Sequence, residues 1–288
     1  MQIYLKARAK INVSLDILGK RADGYHEMQM VMQTLDLHDT IYIKRIEKPR
    51  IKVVTSLVWL PTDERNLAYR AADLLRREYK IEDGIFIHIK KNIPVSAGLA
   101  GGSSDCAATL VGIKKLFDLP ILTKELLQMG QTLGADVPFC IMRGTALAKG
   151  IGEKLTRLAP HPAVHVLLAK PPISVSTASV FQKFDVNLVT KNPNTDKIIQ
   201  YIRNKNRRGI AGELCNVLES VTMEQYPIIA ALKASMLEHK ALGALMSGSG
   251  PTVFGYFRSK GEAYRAMEQM KIDYPSVKEF FVTKVYNV

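Results

Sequence analysis

The chain has 288 residues, of which 47% are hydrophobic and 23% are charged, so it can bury one large core or, as we expect, two ordinary ones. Its three cysteines are odd in number, widely spaced and free of any C-x-x-C, which excludes a disulfide framework and gives no sign of a zinc site. The formal net charge of +13 favours a polyanionic partner.

The N-terminus and the apolar segments bear on where the protein works. Residues 1–16 interleave polar with apolar side chains, which is not typical of a targeting signal. Apolar segments such as 166–169 are far too short to span a bilayer. We therefore expect a cytoplasmic protein with reduced thiols and no membrane partner.

The first predicted element is a strand over residues 3–17. Every odd position there is apolar and every even position is polar or aromatic, which is the period of a strand with one face in a core. Lys10 and Asn12 are both even positions, so we expect them to share the outward face.

The remaining elements divide the chain into two predicted domains, 1–158 and 159–288. Prolines cluster between 158 and 174, which indicates a crossing from one domain to the next. The first half is predicted to contain strands at about 27–35, 40–46, 51–54 and 85–89, and helices at 66–79, 104–117 and 123–133, the last with Thr123 as N-cap. The second is predicted to contain strands at 164–170, 242–246, 252–258 and 279–287, and helices at 176–186, 195–204, 223–239 and 260–271. The order of the second half is that of a βαββαβ plait.

The segment P-V-S-A-G-L-A-G-G-S-S-D at 94–105 lies between a predicted strand and a predicted helix. The unpaired N–H groups and the positive dipole end of a helix N-terminus favour an anion. Glycines at 98, 101 and 102 permit positive φ and close approach of phosphate oxygens, while Ser103 and Ser104 add hydroxyls that could also bind magnesium. The alternative is a glycine-rich turn that only caps the helix. The spacing is neither that of a P-loop nor that of a dinucleotide-binding fingerprint.

A second small-residue loop, S-G-S-G-P-T at 247–252, joins two predicted strands. A hairpin turn is one interpretation of it. A second phosphate-contacting or substrate-contacting loop is the other.

Three separated segments together resemble the GHMP kinases: K-A-R-A-K-I-N-V-S-L-D-I-L-G-K-R-A-D-G-Y-H-E at 6–27, the glycine-rich stretch at 94–105, and L-M-S-G-S-G-P-T-V-F at 245–254. The resemblance implies a two-domain α+β fold, with an N-terminal ATP-binding domain of the ribosomal-S5 type and a C-terminal ferredoxin-like βαββαβ plait. It also implies transfer of the ATP γ-phosphate to an alcohol. The contexts R-A-D-G-Y-H at 21–26 and G-A-D-V-P-F at 134–139 resemble members whose acceptor is the 2-hydroxyl of a cytidine diphosphate sugar alcohol, in isoprenoid synthesis. Homoserine or mevalonate kinase activity is the alternative.

The same resemblance implies two catalytic residues. Asp136 matches the catalytic aspartate that orients or deprotonates the attacking hydroxyl, and Lys10 matches the lysine that stabilises the charge developing on the phosphoryl group. Without the resemblance, Asp136 could simply cap a short helix, and Lys10 could be a solvated strand lysine.

The binding residues implied by the resemblance fall into two sets. The ATP-binding set is Pro94, Val95, Ser96, Ala97, Gly98, Leu99, Ala100, Gly101, Gly102, Ser103 and Ser104. The substrate-binding set is Asn12, Tyr25, His26, Thr177, Phe181, Ser247, Gly248, Ser249 and Gly250. Tyr25 and Phe181 are expected to stack on the cytosine, although Phe181 could equally be a core residue.

Two positions depart from a common form of the family. Ala100 stands where glycine is common, so we expect no positive φ there. Cys106 stands where alanine is frequent, and we expect a buried, inert thiol.

Magnesium is expected to accompany ATP, with Ser104 and Asp136 nearest to it, but no acidic cluster marks a metal site and its ligands stay unassigned. Basic clusters at 44–52 and 203–208 could contact nucleic acid, yet no aromatic ladder or helix-turn-helix signature accompanies them. We therefore expect small-molecule partners, no nucleic acid, and a monomer or homodimer.

Overall fold

The computed structural model describes residues 2–288, which form two compact units. Unit 1 contains the residues up to 9 together with 37–95 and 100–143, and unit 2 contains 10–36, 96–99 and 144–288. The first two strands, β1 (Gln2–Lys20) and β2 (His26–Ile46), each contribute residues to both units. Because both units are assembled from interleaved segments, the predicted domains 1–158 and 159–288 stay a prediction.

Unit 1 is a sheet with helices packed on one face. Its further elements are β3 (Ile51–Thr55), α1 (Leu67–Glu78), β4 (Gly84–Lys90), α2 (Gly101–Leu116), α3 (Thr123–Leu133) and α4 (Val137–Met142). The order β3-β4-β2-β1 has β3 parallel to β4 and β4 antiparallel to β2. Odd positions of the strands, such as Ile43 and Ile87, form a buried core with the alanine-rich face of α1 and with Leu110 and Ile113 of α2. Small side chains on α1 let that helix approach the sheet closely.

The opposite face of the unit 1 sheet carries a row of aromatic rings. The ring centroids of Tyr4 and Tyr42 are 4.8 Å apart, and those of Tyr42 and Phe86 are 6.1 Å apart. The Nζ atoms of Lys44 and Lys52 lie 5.3 and 5.8 Å from the Phe86 ring centroid. The expectation that no aromatic ladder accompanies the first basic cluster is therefore wrong, because strand pairing brings together rings that are distant in sequence.

Unit 2 contains the predicted plait. Its elements beyond β1 and β2 are β5 (Thr145–Gly150), β6 (Lys154–Arg157), β7 (His165–Lys170), α5 (Thr177–Lys183), a 3-10 turn (Val186–Leu188), α6 (Thr195–Arg203), α7 (Arg207–Gly212), β8 (Cys215–Asn216), α8 (Glu219–Gln225), α9 (Pro227–Glu238), β9 (Gly243–Met246), β10 (Val253–Phe257), α10 (Lys260–Asp273) and β11 (Glu279–Lys284). Strands β11-β7-β10-β9 form an antiparallel sheet. The predicted βαββαβ order and the α+β class are confirmed.

Several predicted boundaries differ from the structure. The two strands predicted at 27–35 and 40–46 are one long strand, β2. The helix predicted at 223–239 is divided into α8 and α9, because Pro227 cannot continue a helix but suits the first position of the next one. Thr123 does not cap α3; instead the Glu125 carboxylate accepts a 2.7 Å hydrogen bond from the Leu122 N–H.

Candidate active site

Lys10 and Asn12 are the centre of a polar cluster in unit 2. As predicted they share one face of β1, but their side chains are buried, with Lys10 5% and Asn12 1% exposed. The Lys10 ammonium donates a 2.7 Å hydrogen bond to Oδ1 of Asn12, and the Asn12 amide donates to Sδ of Met30 at 3.3 Å. The expectation that this face points outward is therefore wrong. A buried ammonium is costly unless it is paired, so the solvated-lysine alternative fails for Lys10.

The loop at 247–252 lies against this cluster. It is a hairpin turn between β9 and β10, closed by the 2.9 Å bond from the Ser247 N–H to the Thr252 carbonyl. Gly248 has φ +60, and a Cβ at this position would lie 3.6 Å from both Nζ of Lys10 and Oδ1 of Asn12. The hairpin interpretation is correct, and Gly248 of the turn also lies next to the predicted catalytic lysine.

The glycine-rich stretch reaches the same cluster through 98 and 99. The Leu99 carbonyl accepts from the Lys10 N–H at 3.1 Å, and the Ser247 hydroxyl donates to the Gly98 carbonyl at 3.0 Å. Gly98 has φ +72, and a Cβ there would lie 2.2 Å from the Ser247 carbonyl oxygen. Only glycine meets both conditions at this position. Three segments that are far apart in sequence are thus brought together in unit 2.

The stretch then enters α2 through a left-handed residue. Ala100 has φ +56 and ψ +34, so the expectation of no positive φ there is wrong. Gly101 and Gly102, expected to permit positive φ, are instead the first residues of α2, which begins three residues earlier than predicted. The N–H groups of the first helical turn have no partner within the helix, and no acidic side chain lies in that turn. This geometry is that of an anion-binding helix N-terminus.

The two serines of the stretch have different surroundings. The Ser104 hydroxyl is buried and donates to the Arg8 carbonyl at 2.5 Å, and its N–H donates to the Ala100 carbonyl at 2.8 Å. Both Ser104 donors are therefore used within the fold, and its predicted hydrogen bond to phosphate gains no support. Ser103 lies close to the segment that carries Asp136, because a Cβ on Gly134 would lie 3.9 Å from Oγ of Ser103.

Asp136 lies in unit 1 at the N-cap position of α4. Its backbone φ of −83° and ψ of −13° are helical, and its side chain makes no capping hydrogen bond to the described helix that follows. The helix-cap alternative for this carboxylate therefore loses its support. Asp136 and the α2 N-terminus belong to the same unit, whereas Lys10 belongs to the other; the catalytic roles of both residues stay predictions.

The predicted cytosine-binding residues lie in unit 2. The rings of His26 and Phe181 are stacked, with centroids 5.5 Å apart and planes at 30°. Phe184, which the sequence prediction missed, meets His26 edge-on at 6.3 Å. The Tyr25 side chain is 62% exposed in the turn before β2. The partner of the Phe181 ring is the polar ring of His26 at a strand end. Packing in an apolar core therefore does not fully explain the position of Phe181.

The hydroxyls of Thr177 and Ser249 lie 2.8 Å apart, so the structure joins two further residues of the predicted substrate-binding set. In the turn, the N–H groups of Ser247 and Gly250 are bonded to Thr252 and Ser247 respectively. Any main-chain contact from this turn to the acceptor would therefore come from Gly248 and Ser249.

A buried ion cluster behind α2 was missed by the sequence prediction. Lys91 forms ion pairs with Asp39 and, at 2.8 Å, with Asp105 in unit 1. Burial works to lower the pKa of Lys91, but the two carboxylates outweigh it and raise that pKa. Burial raises the pKa of Asp105, which Lys91 opposes. Asp105 belongs to the glycine-rich stretch at 94–105, but nothing in the sequence links it to Asp39.

The thiol of Cys106 has the surroundings that the sequence predicts. Cys106 is buried, and burial raises its pKa to about 12, so the expectation of an inert thiol is confirmed.

Among residues 2–288, no group of three or more His, Cys, Asp or Glu side chains is placed to hold a metal ion. In the same range, none of the helices combines the length and apolar character needed to cross a membrane.

Family models match both halves of the chain. GHMP kinases N terminal domain matches residues 66–144, which include the α2 N-terminus and Asp136, and GHMP kinases C terminal matches 198–276, which include the 247–252 turn. The protein named 4-diphosphocytidyl-2-C-methyl-D-erythritol kinase of Caldicellulosiruptor saccharolyticus is 51% identical over 98% of this chain and 96% of its own length. The chain belongs to the GHMP kinase family. It is therefore a small-molecule kinase of a family that uses ATP as phosphate donor.

Further relatives of this GHMP kinase agree. The protein of the same name from Lachnospira eligens is 50% identical over 91% of this chain and 95% of its own length. A crystal structure of 4-(cytidine 5'-diphospho)-2C-methyl-D-erythritol kinase has a TM-score of 0.85 at 28% identity and covers 99% of this chain and 100% of that one. Homoserine kinase from Cytophaga hutchinsonii has a TM-score of 0.75 at 21% identity, covering 99% and 95%, which shows the shared fold alone.

Proposed function

We propose that this GHMP kinase transfers the γ-phosphoryl group of ATP to the 2-hydroxyl of 4-diphosphocytidyl-2-C-methyl-D-erythritol, in the non-mevalonate route to isopentenyl diphosphate. The observation that carries the proposal is the burial of Lys10 against Asn12 and Gly248. The names of relatives at 51% and 50% identity over nearly the whole chain support the choice of acceptor.

Phosphoryl transfer requires positioning of donor and acceptor, together with stabilisation of charge as the group moves between oxygens. The N–H groups at the start of α2 hold the ATP phosphates. Asp136 orients the acceptor hydroxyl and takes its proton, while the Lys10 ammonium stabilises the charge on the transferring group. Tyr25 and Phe181 stack on the cytosine ring, and His26, whose ring is stacked on Phe181, contacts the same base.

Magnesium would enter with ATP, where it would neutralise phosphate charge. The carboxylate of Asp136, at the start of α4, is an oxygen ligand of the kind that magnesium prefers. Asp136 is the protein group that we propose to approach it, since the Ser104 side chain is buried. We also propose that the enzyme works in the cytoplasm as a monomer or homodimer, without nucleic-acid partners.

The proposal is tested by measuring ADP release with 4-diphosphocytidyl-2-C-methyl-D-erythritol, homoserine or mevalonate as acceptor. We expect release with the cytidine compound alone, and a product phosphorylated at the 2-hydroxyl by phosphorus NMR. Equal or faster turnover of homoserine or mevalonate would overturn the assignment of the acceptor while leaving the family intact.

A further inference from the structure

A buried asparagine behind the 247–252 turn has no assigned role in the proposed phosphoryl transfer. Asn216 is 3% exposed and belongs to β8, which pairs in parallel with β1 so that Asn216 lies beside Leu15. Its amide nitrogen donates to the Met246 carbonyl at 2.9 Å and to the Gly248 carbonyl at 2.8 Å. Its amide oxygen accepts from the Leu218 N–H at 3.0 Å. Both N–H bonds of the amide are thus directed at the turn.

Glu219, at the start of α8, binds the same segment from the other side of its main chain. One carboxylate oxygen accepts from the Met246 N–H at 2.9 Å, and the other pairs with Lys233 at 2.6 Å. The main chain from 246 to 248 is therefore held by two side chains of one short segment, 216–219.

The held segment includes Gly248, which lies next to Lys10 in unit 2. Gly248 packs beside the ammonium of Lys10 and the amide of Asn12, and Ser247 donates to Gly98. The first four residues of the turn, 247–250, are two serines and two glycines, and both glycines have positive φ, so their sequence alone does little to fix their conformation. Hydrogen bonds within the turn close it, and donors and acceptors from outside the turn add to them.

We propose that Asn216 is a positioning residue for phosphoryl transfer. It binds the carbonyl oxygens of Met246 and Gly248, and so fixes the part of the turn that lies beside Lys10 and Asn12. Glu219 has the same role to a lesser degree. This inference rests on the proposed function, because the readout of Lys10 placement is turnover of the acceptor alcohol.

The test is the variant Asn216→Asp, which keeps the size of the side chain and the acceptor for Leu218. It replaces the donor to two carbonyl oxygens by an acceptor, which repels them. We expect kcat to fall by about 10- to 100-fold, the loss that follows small misplacement of reacting groups, and the KM for the alcohol to rise. The KM for ATP should change less than the KM for the alcohol, because the N–H groups at the start of α2 belong to unit 1. Lowering the pH should restore part of the kcat relative to wild type, since a protonated carboxyl regains one O–H donor.

The matched control is Asn206→Asp. Asn206 is exposed and caps α7 by accepting from the Gly209 N–H at 2.9 Å, a role that aspartate fills equally well. Wild-type kinetics are expected of it. Should Asn216→Asp not fold, Glu219→Ala, compared with Glu213→Ala at the exposed Lys197 ion pair, gives the same contrast.

Amide hydrogen exchange on the substrate-free protein separates this inference from the proposed function. Asn216→Asp should speed exchange at Gly248 and Ser249, with little change in β7 or β11. If exchange changes in this way but wild type does not phosphorylate the cytidine alcohol, the proposed function fails and the positioning of the turn stands. If the folded variant has wild-type kcat and wild-type exchange in the turn, the positioning role is overturned.

Discussion

The ammonium of Lys10 donates to the amide oxygen of Asn12 over 2.7 Å. The two residues are one period of the strand apart, so their side chains lie on the same face, and both are buried. The four-carbon stem of lysine is flexible and can place its ammonium in several positions. Asn12 therefore holds Lys10 in one place beside Gly248, which suits a charge that must meet a phosphoryl group without rearrangement.

Replacing Lys10 by Ala, or Asp136 by Asn, should lower kcat by about 100- to 10,000-fold while the protein still folds, because each change removes a group that acts in the transition state. Steady-state ADP release and thermal unfolding are the measurements. Lys6→Ala is the control, since Lys6 lies on the same face of β1 but is exposed. Turnover within a few-fold of wild type in either variant would remove that residue from the mechanism.

The α+β class, the plait order and the residues of both loops could be predicted from the sequence, because periodicity and small-residue clusters are local features. The burial of Lys10 could not. Alternation along β1 separates two faces but does not tell what covers the polar one, and here Gly248 and Met30 come from distant segments.

Asn216 and Lys91 escaped prediction for the same physical reason. Their roles follow from hydrogen bonds to Gly248 and ion pairs to Asp105, whose partners no spacing rule connects. Backbone strain is equally hidden: Ala100 adopts a left-handed conformation that its side chain disfavours.

Gly98→Ala should abolish most activity and destabilise the protein by several kcal/mol, because its new Cβ would lie 2.2 Å from the Ser247 carbonyl oxygen in a backbone with φ +72. Ala100→Gly is the contrasting change. It relieves a left-handed alanine at a cost in unfolded-state entropy, so unfolding free energy should change by less than about 1 kcal/mol and kcat should be retained. Urea unfolding and ADP release measure both. A stable, active Gly98→Ala enzyme would mean that the two loops are not in contact.

Phe181→Ala and Tyr25→Ala should each raise the KM for the cytidine alcohol by about 5- to 150-fold, corresponding to about 1 to 3 kcal/mol per stacking contact, and leave the KM for ATP nearly unchanged. Phe181→Ala should have the larger effect on stability, since its ring packs on His26 whereas Tyr25 is largely exposed. Initial rates with each substrate varied in turn decide this. Equal changes in both KM values would argue against cytosine stacking.

The prediction of no nucleic-acid partner is tested most directly at the aromatic row of Tyr4, Tyr42 and Phe86 and the lysines beside it. We expect the Lys44 and Lys52 ammonium groups to stay in cation–π contact with the Phe86 ring. Single-stranded RNA should therefore bind only weakly, and its affinity should fall steeply as the salt concentration rises. Fluorescence anisotropy with labelled RNA at two salt concentrations tests this. Tight, salt-tolerant binding that Phe86→Ala abolishes would show a stacking surface instead.

Acid should destabilise unit 2 through His161, which is 2% exposed. Its Nδ1 lies 2.7 Å from the Pro162 carbonyl, which can only accept, so Nδ1 carries the proton and Nε2 accepts from the Tyr256 hydroxyl at 3.4 Å. Burial lowers the pKa of His161 from 6.5 to about 4, against a smaller opposing effect of the Pro162 bond.

Between those two values the unfolded chain binds the proton and the native protein does not. The free energy of unfolding should therefore fall as pH falls from about 6.5 to 4, with a total loss of about 3 kcal/mol from this one group. Urea unfolding across this pH range measures it, with His161→Gln as the comparison because glutamine does not titrate. The variant should lose less stability than wild type over the same interval. Parallel curves for the two proteins would show that His161 is not held neutral in the native state.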